Sequence, residues 1–233
     1  MILLRRLFLS SLGRKYLMAA SGGVLVAFVT GHLVGNLQVF LGPETLNAYA
    51  HFLESTPELV WPVRCGLLAV ILVHGWTATT LTLENRAARP VPYARAELVA
   101  ASYASRTMIW SGMIIDGFVV YHLLHYTVRV ASVNLTGQDF AAFTYTLKSG
   151  AVCRDVHRMV INGFSQPIVA VGYLVGVGLL CWHLSHGLGA LFQSLGLKNS
   201  VWETRIDRAG VLVAAGLFAG YASIPVAALL GYR

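Results

Sequence analysis

Cys181-Trp182-His183-Leu184-Ser185-His186-Gly187 lies late in a long apolar run and sets two imidazoles one helical turn apart. Ionisable side chains inside a hydrocarbon layer are costly, and those found there pair with one another, hold a ligand or line a path. What these two hold depends on three other apolar runs, each of which also carries histidine.

The 233-residue chain is 56% hydrophobic and 12% charged, about half the charged share of a soluble domain, and its mean hydropathy is +0.65. These values indicate an all-α integral membrane protein. Its 17 basic and 10 acidic residues, net +7, gather at the ends of apolar runs rather than in one polar block. Such placement marks topology signals and lipid headgroup contacts, so no nucleic-acid partner is expected. Cys65, Cys153 and Cys181 are far apart and form no C-x-x-C pair. They encode neither a disulfide framework nor an iron–sulfur site, and any such cluster belongs to a partner.

A bilayer core of about 30 Å is crossed by about 20 helical residues. Five runs are long enough: Tyr16 to Leu41, Pro62 to Leu83, Arg106 to Val128, Pro167 to Gln193 and Ala209 to Leu230. They form one membrane domain over residues 1–233, a five-helix bundle without internal repeat. Ahead of it, Arg5, Arg6, Arg14 and Lys15 surround Leu7-Phe8-Leu9, an apolar core too short for a secretory signal. A short interfacial helix is expected there. Two further surface helices are expected, one within Gly42 to Trp61 and one over Asp139 to Leu147, while Arg89-Pro90-Val91-Pro92 breaks the second connection.

Alternate sides of this arrangement differ in charge. One receives Arg5, Arg6, Arg14, Lys15, Arg86, Arg89, Arg95, Arg106, Lys198, Arg205 and Arg208; the other receives Arg64, Arg129, Lys148, Arg154, Arg158 and Arg233. The positive-inside rule puts the N-terminus in the cytoplasm and the C-terminus outside.

Of eight histidines, His51 and His157 fall in connections and read as interfacial. His32 and His122 come late in outward-running helices, and His74 and His183 late in inward-running ones. Four helices therefore supply one imidazole pair at each of two depths. At 1.5 Å rise per residue the layers lie on the order of 10 Å apart. Bundles build cofactor sites from side chains facing across the core, and this arrangement suits two haem b groups, each iron held by two imidazoles. Two axial histidines leave no open coordination position, which favours electron transfer over oxygen chemistry. His125 and His186 sit within a turn of His122 and His183 and are alternative ligands, or bond propionates or quinone. Arg14, Arg106, Gln193 and Lys198 near the inner face, and Asn36 and Gln38 near the outer, are candidate propionate or headgroup partners. Asp116, near mid-membrane, reads as a hydrogen-bonded packing residue or part of a wet cavity.

Gly31-His32-Leu33-Val34-Gly35-Asn36, His74-Gly75-Trp76, Tyr121-His122-Leu123-Leu124-His125 and Trp182-His183-Leu184-Ser185-His186-Gly187, followed by Phe192-Gln193-Ser194-Leu195-Gly196, occur in order along the chain. Together with Asn47-Ala48-Tyr49-Ala50-His51-Phe52, they resemble the cytochrome b558 subunit of succinate dehydrogenase and fumarate reductase, the di-haem type with one five-helix anchor. The resemblance implies a bacterial inner (cytoplasmic) membrane anchor for a flavoprotein subunit and an iron–sulfur subunit on the cytoplasmic side. It further implies electron passage between succinate and a bound quinone, menaquinone or ubiquinone, with succinate chemistry on the partner subunits. Carried over by position, His74 and His183 hold the haem proximal to those subunits, and His32 and His122 the distal one. Some members carry an acidic residue two positions before the fourth-helix ligand; here that position is Cys181, which removes the side chain of that proton path.

A quinone pocket needs an apolar cleft and one or two polar groups for the carbonyl oxygens. His51, Glu54 and Glu58 are candidates on the outer side, and Arg14, Ser21 and His186 on the inner. Two other readings are a haem b anchor of another respiratory oxidoreductase, distinguished by its partner, and an imidazole-lined transporter, for which the chain lacks the internal symmetry.

Overall fold

The computed structural model describes residues 2–88 and 103–233, with side chains over 5–88 and 107–233. The expected break at Arg89-Pro90-Val91-Pro92, Arg95 and the side chain of Arg106 lie outside the described residues.

Helix α1 (Ile2–Leu9) meets α2 (Ser11–Leu37) at Ser10. The Ser10 hydroxyl donates to the Arg6 carbonyl at 2.6 Å and accepts from the Gly13 amide at 3.0 Å, closing one helix and capping the next. Glycine is required at 13, because a Cβ would run into the carbonyls of Arg6 and Leu7. Helix α2 tightens into a 3-10 turn, Gln38–Leu41, and stops at Gly42, whose φ is 91°. Pro43 then opens helix α3 (Pro43–Ser55), its fixed φ and missing N–H costing nothing at a first helical position.

Helix α4 spans Pro57–Ala87 and α5 spans Tyr103–His122. α5 runs on through a π-helical turn, Leu123–Val128, and ends at Arg129 in the left-handed region at φ 62°. Strands β1 (Thr144–Thr146) and β2 (Val152–Arg154) form an antiparallel hairpin with Tyr145 opposite Cys153. Helix α6 (Val156–Phe164) follows, capped by the Asp155 carboxylate on the Arg158 amide at 3.0 Å. The long helices α7 (Pro167–Ser194) and α8 (Glu203–Leu229) complete the chain.

Five helical spans are long and apolar enough to cross a bilayer: Ser11–Leu41, Pro57–Ala87, Thr107–Val128, Pro167–Ser194 and Glu203–Leu229. This fits a multi-pass membrane protein. Leu68, Leu72, Ile168 and Leu212 stand exposed on these helices, the reverse of a water-soluble helix and the expected face toward lipid.

The first span begins at Ser11 rather than Tyr16 and the fifth at Glu203 rather than Ala209, and two further expectations need correction. The second span begins at Pro57, not Pro62, because Pro57 takes the first helical position and Pro62 is accommodated inside the helix. Asp139 to Leu147 is not a helix: the Asp139 carboxylate turns back onto the Ala141 amide at 2.9 Å. Thr144-Tyr145-Thr146 then pairs as a strand, with Gly150 (φ 85°) in the turn that follows. The helix in that connection is α6, further along.

The chain resolves into two compact units, Met1–Phe28 with Cys65–Met113 and Trp182–Ala215, and Val29–Arg64 with Ile114–Cys181 and Gly216–Arg233. In the first, the buried Arg14 guanidinium pairs with Glu84 and donates to the Phe8 carbonyl at 3.1 Å, which ties α1, α2 and α4 together. In the second, a core of Val39, Leu46, Val160, Phe164, Val169, Tyr173 and Ile224 joins α3, α6, α7 and α8. Phe140, Phe143 and Met159 close a smaller core beneath the hairpin.

Candidate functional site

Each unit holds one pair of imidazoles from different helices. In the first unit, His74 of α4 faces His183 of α7, with ring centroids 6.4 Å apart and planes at 65°. Ser21 of α2 lies 3.1 Å from His74 Nδ1, and Ser111 of α5 lies 3.0 Å from His183 Nδ1. Each serine Oγ is also 3.1 Å from a carbonyl one turn back, Met18 or Met108. A hydroxyl has one proton, so both contacts are hydrogen bonds at once only when the hydroxyl donates to the carbonyl and accepts from Nδ1–H. That fixes the tautomer: the lone pair of each imidazole is on Nε2.

The glycine after each serine lies against the same ring, closely only at Gly22. A Cβ on Gly22 would stand 3.3 Å from His74 Cε1, and one on Gly112 would stand 3.7 Å from His183 Cε1. Ser21-Gly22 thus cradles the His74 ring, the hydroxyl holding it and the glycine giving it room, whereas Ser111 holds the His183 ring and a Cβ at 112 would make only ordinary contact with it.

In the second unit, His32 of α2 meets His122 at the end of α5, with centroids 5.8 Å apart and planes at 84°. Tyr221 of α8 lies 6.3 Å from the His32 ring and is fixed by its own bond to the Val29 carbonyl at 2.6 Å. Here the partner of Nδ1 is a tyrosine. The Tyr173 hydroxyl stands 3.3 Å from His122 Nδ1 and 3.0 Å from His125 Nδ1. The ring facing His32 is that of His122. His125 is fully buried, stacked on Tyr126 at 3.9 Å.

Both centroid separations would suit two imidazoles that hold one metal between them. A metal–imidazole bond of about 2 Å puts two such ring centroids about 6 Å apart. Among the described residues there is no group of three or more His, Cys, Asp or Glu set for a metal ion. Two imidazoles are too few for a bare ion and would suit a metal that brings further donors of its own, as haem iron does.

The remaining sequence candidates fall in varied places. His186, one turn beyond His183, is half-buried, and the ring opposite His74 is that of His183. Arg14 is engaged by Glu84, and the Lys198 ammonium by both Asp207 oxygens at 2.9 Å, so each serves first as a helix tie. Asn36 donates to the His32 carbonyl at 2.7 Å, steadying the backbone of that imidazole. Gln38 is half-buried in the turn that ends α2, while Gln193, Glu58 and Asp116 are exposed. His51 and Glu54 line a cleft of about 270 Å³ with Phe143, Thr144, Cys153 and Arg154. Arg154 pairs there with Glu54 at 3.0 Å.

Sequence reasoning missed Ser111, Tyr173 and Tyr221. A repeated Ser-Gly step was the legible signal for the first; tyrosines near the ends of apolar helices read as interfacial anchors. No family model, no characterised protein and no solved structure matches this chain.

Proposed function

We propose that the chain is the membrane anchor and electron-transfer subunit of a succinate:quinone oxidoreductase, binding two haem b groups, one at each imidazole pair. The observation that carries this reading is the matched construction of the pairs. Two cross-helix imidazoles lie at ligand spacing in each unit, and in the His74–His183 pair both Nδ1 atoms are held by serine so that Nε2 carries the lone pair. The ordered histidine motifs add the resemblance to the di-haem anchors of succinate dehydrogenase and fumarate reductase.

Haem, when bound, would supply a one-electron centre, and the two imidazoles of each pair would hold its iron and leave no position for oxygen. The residues of the chain bind and orient. Ser21, Ser111 and Tyr173 hold the ligand rings, and Gly22 leaves space for that of His74. By the positive-inside rule the His74–His183 pair is on the cytoplasmic side, near the flavoprotein and iron–sulfur partners, and the His32–His122 pair is on the outer side. A membrane quinone exchanges electrons with the complex, whose site is the bacterial cytoplasmic membrane.

Purification with native partners tests this. A reduced-minus-oxidised spectrum of low-spin haem b at two per chain, with succinate-dependent quinone reduction, is the expected result. A stable but colourless preparation overturns it. Substituting His32 or His122 removes one haem, and substituting His74 or His183 removes the other.

A further inference from the structure

Tyr173 is the buried group whose bonding the two-pair description does not exhaust. Its single hydroxyl lies within hydrogen-bond distance of two Nδ1 atoms, 3.3 Å at His122 and 3.0 Å at His125. The oxygen could accept from both, but its own buried proton would then lack an acceptor; both contacts are bonds and that proton is satisfied only if one imidazole donates to the oxygen and the other accepts its proton. The three groups therefore form a relay with two states. In one, His122 Nδ1–H donates to Tyr173 and Tyr173 O–H donates to His125 Nδ1. In the other, every proton sits on the opposite side, and His122 carries its hydrogen on Nε2.

Only the first state leaves a lone pair on His122 Nε2 for a metal. Resting on the di-haem reading, we propose that Tyr173 and His125 are positioning residues that set the tautomer of His122, so that ligation at His122 fixes the proton of His125 on Nε2. The surroundings hold the relay in place. His125 is fully buried and bracketed by Tyr126 and by Phe140 at 5.8 Å, with Tyr121 at 5.6 Å. Tyr173 is itself 5% exposed, with Phe118 at 5.2 Å and Phe164 at 4.9 Å. Neither ring has room to turn away. Among the described residues the Nε2 atom of His125 has no hydrogen-bond partner, nor has the Tyr126 hydroxyl beside it, so the proton position on His125 is decided from the Tyr173 side.

The two pairs differ in a way that can be measured. At His74 and His183 each Nδ1–H meets a serine that donates onward to a main-chain carbonyl, a fixed acceptor. At His122 the acceptor is a tyrosine whose proton must be taken up by a second imidazole. Accepting a bond from Nδ1–H makes a ligand imidazole more basic, which favours the oxidised metal. Removing the acceptor raises the midpoint potential of that haem alone.

The experiment uses the complex purified with its partners and its haem. Each haem is assigned by the His32 and His74 substitutions, then followed by redox titration and by electron paramagnetic resonance of the oxidised state. Tyr173→Phe keeps the ring and the packing. The expected result is an upward shift of the His32–His122 haem and a roughly 10–100-fold weaker hold on it, with the other haem unchanged. His125→Leu does the same, and His125→Asn, whose amide oxygen replaces Nδ1 as acceptor, restores the parent signature. The double change Ser21→Ala with Ser111→Ala shifts only the His74–His183 haem. If Tyr173→Phe leaves the outer haem unchanged, or moves both haems alike, the relay is overturned. His125→Asn behaving like His125→Leu overturns the role of His125. A parent complex without haem b sinks the underlying reading first, and its spectrum shows this before any variant is made.

Discussion

Asn47 and Asp155, 108 positions apart, are joined side chain to side chain: the fully buried Asn47 amide donates to the Asp155 carboxylate at 3.0 Å. Its carbonyl oxygen accepts from the His157 amide at 3.0 Å. One side chain thereby fastens α3 to the start of α6. Asn47→Leu leaves the His157 amide and the Asp155 carboxylate without these partners, a loss of about 1–3 kcal/mol. The α3 and α6 region then becomes sensitive to limited proteolysis, while the haem proposed at His74 and His183 keeps its spectrum. Unchanged proteolysis would show that the contact does not hold the two elements together.

Glycine at 176 is needed because a Cβ there would strike the Phe118 ring. Phe118 in turn lies 6.4 Å from His122 and 5.2 Å from Tyr173. Gly176→Ala therefore overpacks a full site at a cost of about 1–3 kcal/mol. On the di-haem proposal, the check is a shifted spectrum of the haem proposed at His32 and His122 with the other intact; Gly172→Ala, where a Cβ meets open space, is the control.

Arg14 is 7% exposed and relies on Glu84 and the Phe8 carbonyl. In Glu84→Gln a nearly buried cation loses its counter-charge. Because Glu84 is itself part exposed, the cost is about 1 kcal/mol rather than that of a fully buried pair. Helix α1 loosens, which is read as faster cleavage near Leu9; a cleavage rate equal to the parent's would argue against the tie.

Burial raises the Cys153 thiol above its usual range, and the nearby Asp155, Glu54 and Glu44 carboxylates push the same way. The folded protein thus favours the thiol, and that preference is lost as pH rises through the raised value. Maleimide labelling of Cys153, in a background lacking Cys65 and Cys181, is expected to be slow at neutral pH and to accelerate only under alkaline conditions. Fast labelling near pH 7 would show the site to be open.

Much of this was legible in the sequence because an imidazole in an apolar run is conspicuous. Helix direction alone groups His32 with His122 and His74 with His183, and the structure brings those same rings together. The five spans follow from hydropathy. What escaped has a common physical cause. Ser111 looks like any small residue at a helix contact, and Tyr173 looks like a tyrosine of the interfacial belt. The hairpin at Thr144–Arg154 is too short for its alternation to stand out, and it is fixed by its contacts: Glu44 accepts from the Tyr145 hydroxyl at 3.2 Å and the Lys148 amide at 2.9 Å. The choice between His122 and His125 depended on a turn geometry that periodicity does not register.

That geometry is the π-helical turn after His122. Such a turn is wider than an α-helical one and is commonly a single-residue insertion, so it makes the distance along the chain, counted in residues, part of the site. Leu123 and Leu124 are exposed apolar side chains, and many apolar residues would serve in their place. Their number is another matter. With one deleted, His125 becomes the second residue after His122, about 200° around a regular helix, and the imidazole that answers Tyr173 faces away. At this point the chain tolerates rewriting but not shortening.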